Sequence, residues 1–185
     1  MALLGSLLAI VVYIWLRFNE FRYSFAAVVA LLHDVLVLLA AIGFAHILSG
    51  TAIGNALLLE PFRLNLTLVT AILTVIGFSM SDTVVVFDRI RENRAKIGHV
   101  DKAVINASIN QTLSRTLLTG GTTLVTLFVM YIIGGPAIHG FTFALVVGLV
   151  TGTYSSIAIA SPLLLLGGRQ LEPEKPKAEL VTVAA

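Results

Sequence analysis

The chain has 185 residues, of which 57% are apolar and only 12% charged, with a formal net charge of +2 and no cysteine. Charged residues run at about half the ~25% of a soluble globular chain, which excludes that class and indicates an integral membrane protein. The missing cysteines remove disulfides and thiolate metal sites, and the small basic excess lies in loops, so a nucleic-acid partner has little support; no metal or other cofactor is expected.

Five stretches approach the length needed to cross a hydrocarbon core of about 30 Å. They run roughly over Ala2 to Leu16, Phe25 to Leu48, Leu64 to Phe87, Leu117 to Ile133 and Phe141 to Leu166. The pattern predicts an all-α fold, a polytopic bundle of about five transmembrane helices over residues 1–168, with a disordered tail over 169–185 rich in Glu, Lys and Pro. Arg17 and Arg22, the segment Arg89 to Lys102, and the tail residues Arg169, Lys175 and Lys177 all fall on one side if the spans alternate, against Arg63 on the other. The basic side is therefore expected to be cytoplasmic and the amino terminus outside. An outside amino terminus with no signal-peptide pattern points either to a chain lacking an upstream span and outer domain or to a protein inserted with its amino terminus out.

The first span is Leu-rich, with Tyr13 and Trp15 near its inner end, and reads as an anchor. A short polar inner loop, Arg17 to Ser24, leads to a second span carrying the adjacent ionisable pair His33 and Asp34. Adjacent helical positions point about 100° apart, so the two cannot share one partner. His33 reads as an interior histidine satisfied by its surroundings, and Asp34 as either a structural hydrogen-bonding group or a functional acid. His46, near the outer end, reads as interfacial. Gly50 to Arg63 form an outer loop in which Gly50, Gly54 and Pro61 act as breakers.

In the third span Thr67, Thr70, Thr74, Gly77 and Ser81 recur at three- or four-residue steps, a small, weakly polar face suited to close helix packing. Asp82 borders that face before the apolar run has ended. A carboxylate near a helix centre costs roughly 2.5 to 3.5 kcal/mol on insertion scales, so such acids usually meet a partner or water. The segment from Asp88 to Ser114 reads as an amphipathic connection near the inner membrane surface, broken at Gly98. Arg115 opens the fourth span and heads a stripe with Thr119, Thr122 and Thr126; by itself it is as compatible with snorkelling to the interface as with a buried role. The last span carries Gly140, Ala144, Gly148, Gly152, Ser156 and Ala160 at four-residue steps, a seam that should pack against another helix, before Pro162 interrupts it.

The run GFSMSDTVVVFDRIREN from Gly77 resembles the signature of the SecF subunits of bacterial SecD/SecF protein-export complexes, within the resistance-nodulation-division superfamily. Three further blocks agree in order and spacing: FRYSFAAVVALLHDV from Phe21, NASINQTLSRTLLTGGTTL from Asn106 and GTYSSIAIASP from Gly152. Such chains have six spans with a periplasmic domain after the first, which would make this chain spans two to six. Ser81, Phe78 and Gly120 stand where the family usually has Asn, Tyr and Ser, and the first of these puts the hydrogen bonding around Asp82 in question.

The resemblance implies a subunit in the bacterial inner membrane that works with SecD and the SecYEG translocon on unfolded exported polypeptide. Proton-motive force would be coupled to late translocation or release, with Asp82 the proton-carrying carboxylate and Arg115 its charge partner across the third and fourth spans. His33, Asp34, Ser79, Ser81 and Thr119 form a candidate secondary polar site, and Gly148, Gly152 and Ser156 a helix-packing set, among membrane lipid. The competing readings are a structural membrane scaffold and a proton-driven exporter subunit of the same superfamily. An enzyme is disfavoured, because His33 and Asp34 lack metal-site spacing and no nucleophile has an identifiable base.

Overall fold

A computed structural model describes residues 2–62 and 65–166, so the expected tail lies outside the described residues. The described chain is helical throughout, with no strand. It comprises α1 (Ala2–Phe18), α2 (Phe21–Leu48), α3 (Ala52–Ala56), α4 (Leu66–Ile97), α5 (Lys102–Ile133) and α6 (Pro136–Ser155). A π-helical turn (Ser156–Ala160) and the short α7 (Ser161–Leu163) complete the last span.

α4 and α6 form the central pair, α2 and α5 each pack against both, and α1 lies on α2 with a smaller contact to α4. The helices α2, α4, α5 and the continuous Pro136–Leu163 segment are long and apolar enough to cross a membrane. α1 is apolar but has 17 residues, which rise only about 25 Å and fall short of the ~30 Å core. Four long spans and one short apolar helix thus stand where five spans are expected.

The inner loop is shorter than Arg17 to Ser24. Only Asn19 and Glu20 leave the helical path, with Asn19 at φ 53°, a left-handed conformation asparagine tolerates better than most residues. Beside the turn, the Phe18 and Tyr23 rings stack at 4.9 Å and Phe87 of α4 meets both edge-on. Arg94 donates to both oxygens of the Glu20 carboxylate at 2.6 and 2.8 Å, and Arg17 donates to Asp88 at 2.8 Å. The basic run after Asp88 therefore fastens the α1–α2 turn to α4.

The segment Asp88 to Ser114 forms no separate helix: its two halves are the ends of α4 and α5. α4 and α5 each run 32 residues, about 48 Å, so they outreach the hydrocarbon and continue as a helical hairpin at the basic end. Gly98 does break it: at φ 91° it caps α4 in the left-handed region that only glycine occupies freely, and the Asp101 side chain then accepts from Val104 N to start α5. Asn93 ties the hairpin together by donating to Ser108 Oγ and Gln111 Oε1.

At the opposite end Thr51 caps the five-residue α3 through Gly54 N, so Gly54 sits inside a helix instead of breaking the loop. Tyr131 of α5 donates to the Leu57 and Leu58 carbonyls, and its ring lies 4.2 Å from the buried His139 ring. These contacts fold the outer loop back onto the bundle. Pro162 is accommodated by the π turn, where the Ser161 hydroxyl donates to the Ser156 carbonyl.

Candidate functional site

Small residues on α6 allow the polar centre to form. A β-carbon on Gly148 would overlap the γ-methyls of Val75, and one on Gly152 would come within 2.9 Å of Ser79 Cβ, so both glycines lie against α4. This approach seats Ser79 between α6 and α2. Its hydroxyl donates to Asp34 Oδ2 at 2.5 Å, and the Ser155 hydroxyl donates to the same oxygen at 2.8 Å. Asp34 is 0% exposed and joins α2, α4 and α6 at one carboxylate. His33 Nδ1 stands 3.2 Å from the other oxygen, Oδ1. The 100° between adjacent positions sends Asp34 inward and leaves His33 partly exposed, yet the ring still reaches its neighbour.

Of the secondary polar set, the structure brings His33, Asp34 and Ser79 together and leaves out Ser81 and Thr119, both exposed. Ser155 completes the cluster and escaped the sequence reading. Its signal was its position three residues after Gly152, which puts it on the face of α6 that the seam occupies. Ser156, placed on the seam, is fully buried and donates to the Thr153 carbonyl.

The Thr67, Thr70, Thr74, Gly77, Ser81 stripe does not pack within this chain. All five are exposed, and Thr70 and Thr74 return their hydroxyls to carbonyls of their own helix. The contact face of α4 is instead Leu68, Ala71, Ile72, Val75, Ile76, Ser79 and Thr83, because burying β-branched and Leu side chains removes more apolar area than burying threonines.

Asp82 is buried, one turn beyond Ser79 on α4, and its Oδ2 has no hydrogen-bond partner among the described residues. Arg115, on α5 (Lys102–Ile133), is exposed and makes no ion pair or hydrogen bond among the described residues. The expected resting ion pair is therefore not formed as a direct contact. Arg115 is nonetheless the cation whose charge bears on Asp82. Thr122 and Thr126, like Arg115 and Thr119, are exposed, and both hydroxyls return to the helix backbone. α4 and α5 thus each present an uncovered small, polar stripe. Among the described residues no group of three or more His, Asp or Glu side chains could hold a metal ion.

A family model, protein export membrane protein SecD/SecF, C-terminal, matches residues 1–170. The chain belongs to this family. It is 49% identical over 168 residues to the protein translocase subunit SecF of Rhodothermus marinus, covering 89% of this chain and 50% of that one. It is 40% identical over 173 residues to the SecF of Escherichia coli O157:H7, covering 93% and 49%. The chain thus spans about half the length of the curated relatives it matches.

Among solved structures it superposes on a crystal structure of SecDF in a super-membrane-facing form, with a TM-score of 0.71, 35% identity, 86% of this chain and 20% of that one. For SecDF of Thermus thermophilus, a translocon-associated membrane protein, the TM-score is 0.68 at 34% identity, covering 84% and 20%. The all-helical membrane architecture is accordingly that of the SecDF membrane region. The relatives are named as protein translocase subunits.

Proposed function

We propose that this chain is the membrane-embedded part of a SecF subunit that, together with SecD, couples inward proton flow to late movement or release of exported polypeptide arriving from the SecYEG translocon. The observation that carries this reading is Asp82: a buried carboxylate with an unpartnered oxygen, on the same helix as an uncovered polar stripe. A protein that only held subunits together would have no use for so costly a group without a fixed partner.

Arg115 keeps its proton at any accessible pH, whereas Asp82 exists neutral or ionised, so the attraction between α4 and α5 changes with the proton on Asp82. A proton falling through ~100 mV releases about 2.3 kcal/mol, comparable with a local helix rearrangement. The uncovered stripes of α4 and α5 are the surface assigned to SecD, since hydroxyls and a guanidinium are poor company for lipid. The basic hairpin of α4 and α5 faces the cytoplasm in the inner membrane, as does the tail.

The test is Asp82→Asn in the full-length protein assembled with SecD. Export is expected to lose its stimulation by the proton gradient while the complex stays assembled. Unchanged proton-dependent export would instead favour the scaffold reading, in which Asn replaces the acid as a hydrogen-bonding group.

A further inference from the structure

Asp34 is a second buried carboxylate that the role of Asp82 leaves unused. Its surroundings are defined on every side: His33 on its own helix, Ser79 on α4 with Asp82 one turn further, and Ser155 on α6. Among the described residues no lysine or arginine pairs with it. Both serine hydroxyls donate to Oδ2, so that oxygen accepts and cannot itself carry a proton without displacing one of them. Any proton the acid takes up goes to Oδ1, which faces His33 Nδ1 at 3.2 Å.

We propose that His33 and Asp34 form a second proton-binding site, with His33 as the port and Asp34 as the store. The His33 side chain is 35% exposed on the surface of this chain whereas that of Asp34 is 0% exposed, so a proton reaches the ring first. In the unloaded state Nδ1–H donates to the ionised Oδ1. A proton arriving at Nε2 forms Nε2–H; the Nδ1–H bond then breaks and Oδ1–H forms, leaving a neutral imidazole whose Nδ1 accepts from a neutral acid. One proton enters and the net charge of the pair rises from −1 to 0. Hydrogen bonds to an ionised acceptor are roughly twice as strong as neutral ones. Loading therefore weakens the two serine bonds that hold α4 and α6 to α2, one turn from Asp82.

This site is tested independently of export, in the purified chain reconstituted in lipid vesicles, by infrared difference spectra between alkaline and acidic buffer. A protonated-carboxyl band is expected that Asp34→Asn removes and Asp82→Asn does not. In His33→Gln the band should persist but change in frequency, because Oδ1 no longer faces an imidazole. In Ser155→Ala its frequency should move, because Oδ2 loses a donor. Persistence in Asp34→Asn of the same band that Asp82→Asn leaves in place, or a band that neither His33→Gln nor Ser155→Ala alters, would overturn the proposal. Should Asp34→Asn fail to fold, these last two variants decide it, since both retain the acid.

Discussion

Gly152 lies directly against Ser79: the 2.9 Å that would separate an added β-carbon from Ser79 Cβ leaves room for a hydrogen atom and nothing larger. The same serine donates to Asp34. The contact between the two central helices and the polar junction are therefore one construction. Gly152→Leu should push α6 from α4 and separate Ser155 from Asp34. Overpacking a tight interface costs about 1–3 kcal/mol or more, and the lost hydroxyl bonds add to it. Thermal unfolding of the purified chain in detergent should show a clear drop in midpoint for Gly152→Leu and for Gly148→Leu. An unchanged midpoint in both would mean that α6 does not pack on α4 in this way.

The opposite result is expected at Gly77 and Gly121, whose added β-carbons would meet nothing within 4 Å. Leucine there should leave the midpoint of the isolated chain within about 0.5 kcal/mol of the original, or raise it slightly through better helix propensity. Co-purification of SecD with the full-length protein should fall sharply. Retained assembly in Gly77→Leu would remove the stripe of α4 from the SecD interface.

Among the described residues Arg115 has no direct partner, so its removal should act on function without unfolding the protein. Arg115→Gln is expected to leave thermal stability within about 0.5 kcal/mol, as for other exposed substitutions, and to abolish the proton-gradient dependence of export in the assembled complex. Arg115→Lys should restore part of that dependence, because it keeps the charge but loses the planar guanidinium. Full activity in Arg115→Gln would leave Asp82 without its charge partner.

The native absence of cysteine allows topology to be read with single labels. Asn55→Cys, in α3, should react with an impermeant thiol reagent added outside intact cells. His99→Cys, in the turn between α4 and α5, should react only after the membrane is opened. Reversed accessibility would invert the orientation assigned from the basic residues.

The apolar runs, the basic loops and the small-residue seam were all readable because each follows from a requirement local to one helix: length, charge or bulk. Contacts between helices were not. Periodicity placed Thr67, Thr70 and Thr74 on one face of α4, but could not tell whether that face meets this chain or a partner, since small residues serve both. Asp34 was recognised as expensive, but its donors sit 45 and 121 residues away along the chain. No spacing rule reaches that far. The scattered isoleucines of Asp88 to Ser114 fit an interfacial helix as well as a helix pair, so periodicity does not reveal that the segment consists of the ends of α4 and α5. The inner turn was overestimated because its charges, which looked like solvated loop residues, are paired to α4.

The π turn at Ser156–Ala160 has a geometric effect on the seam. Residues four apart on an ordinary α-helix drift by about 40° per step, so a run from Ala144 to Ala160 would wander through about 160° and carry its last members round to the far side. A single widened turn absorbs one additional residue, which sets the phase back by about 100°. Ala160, at the end of the turn, is accordingly buried along with Ala144, Gly148, Gly152 and Ser156. The irregular turn acts as a phase corrector, keeping one line of small residues aimed at the bundle from one end of the span to the other.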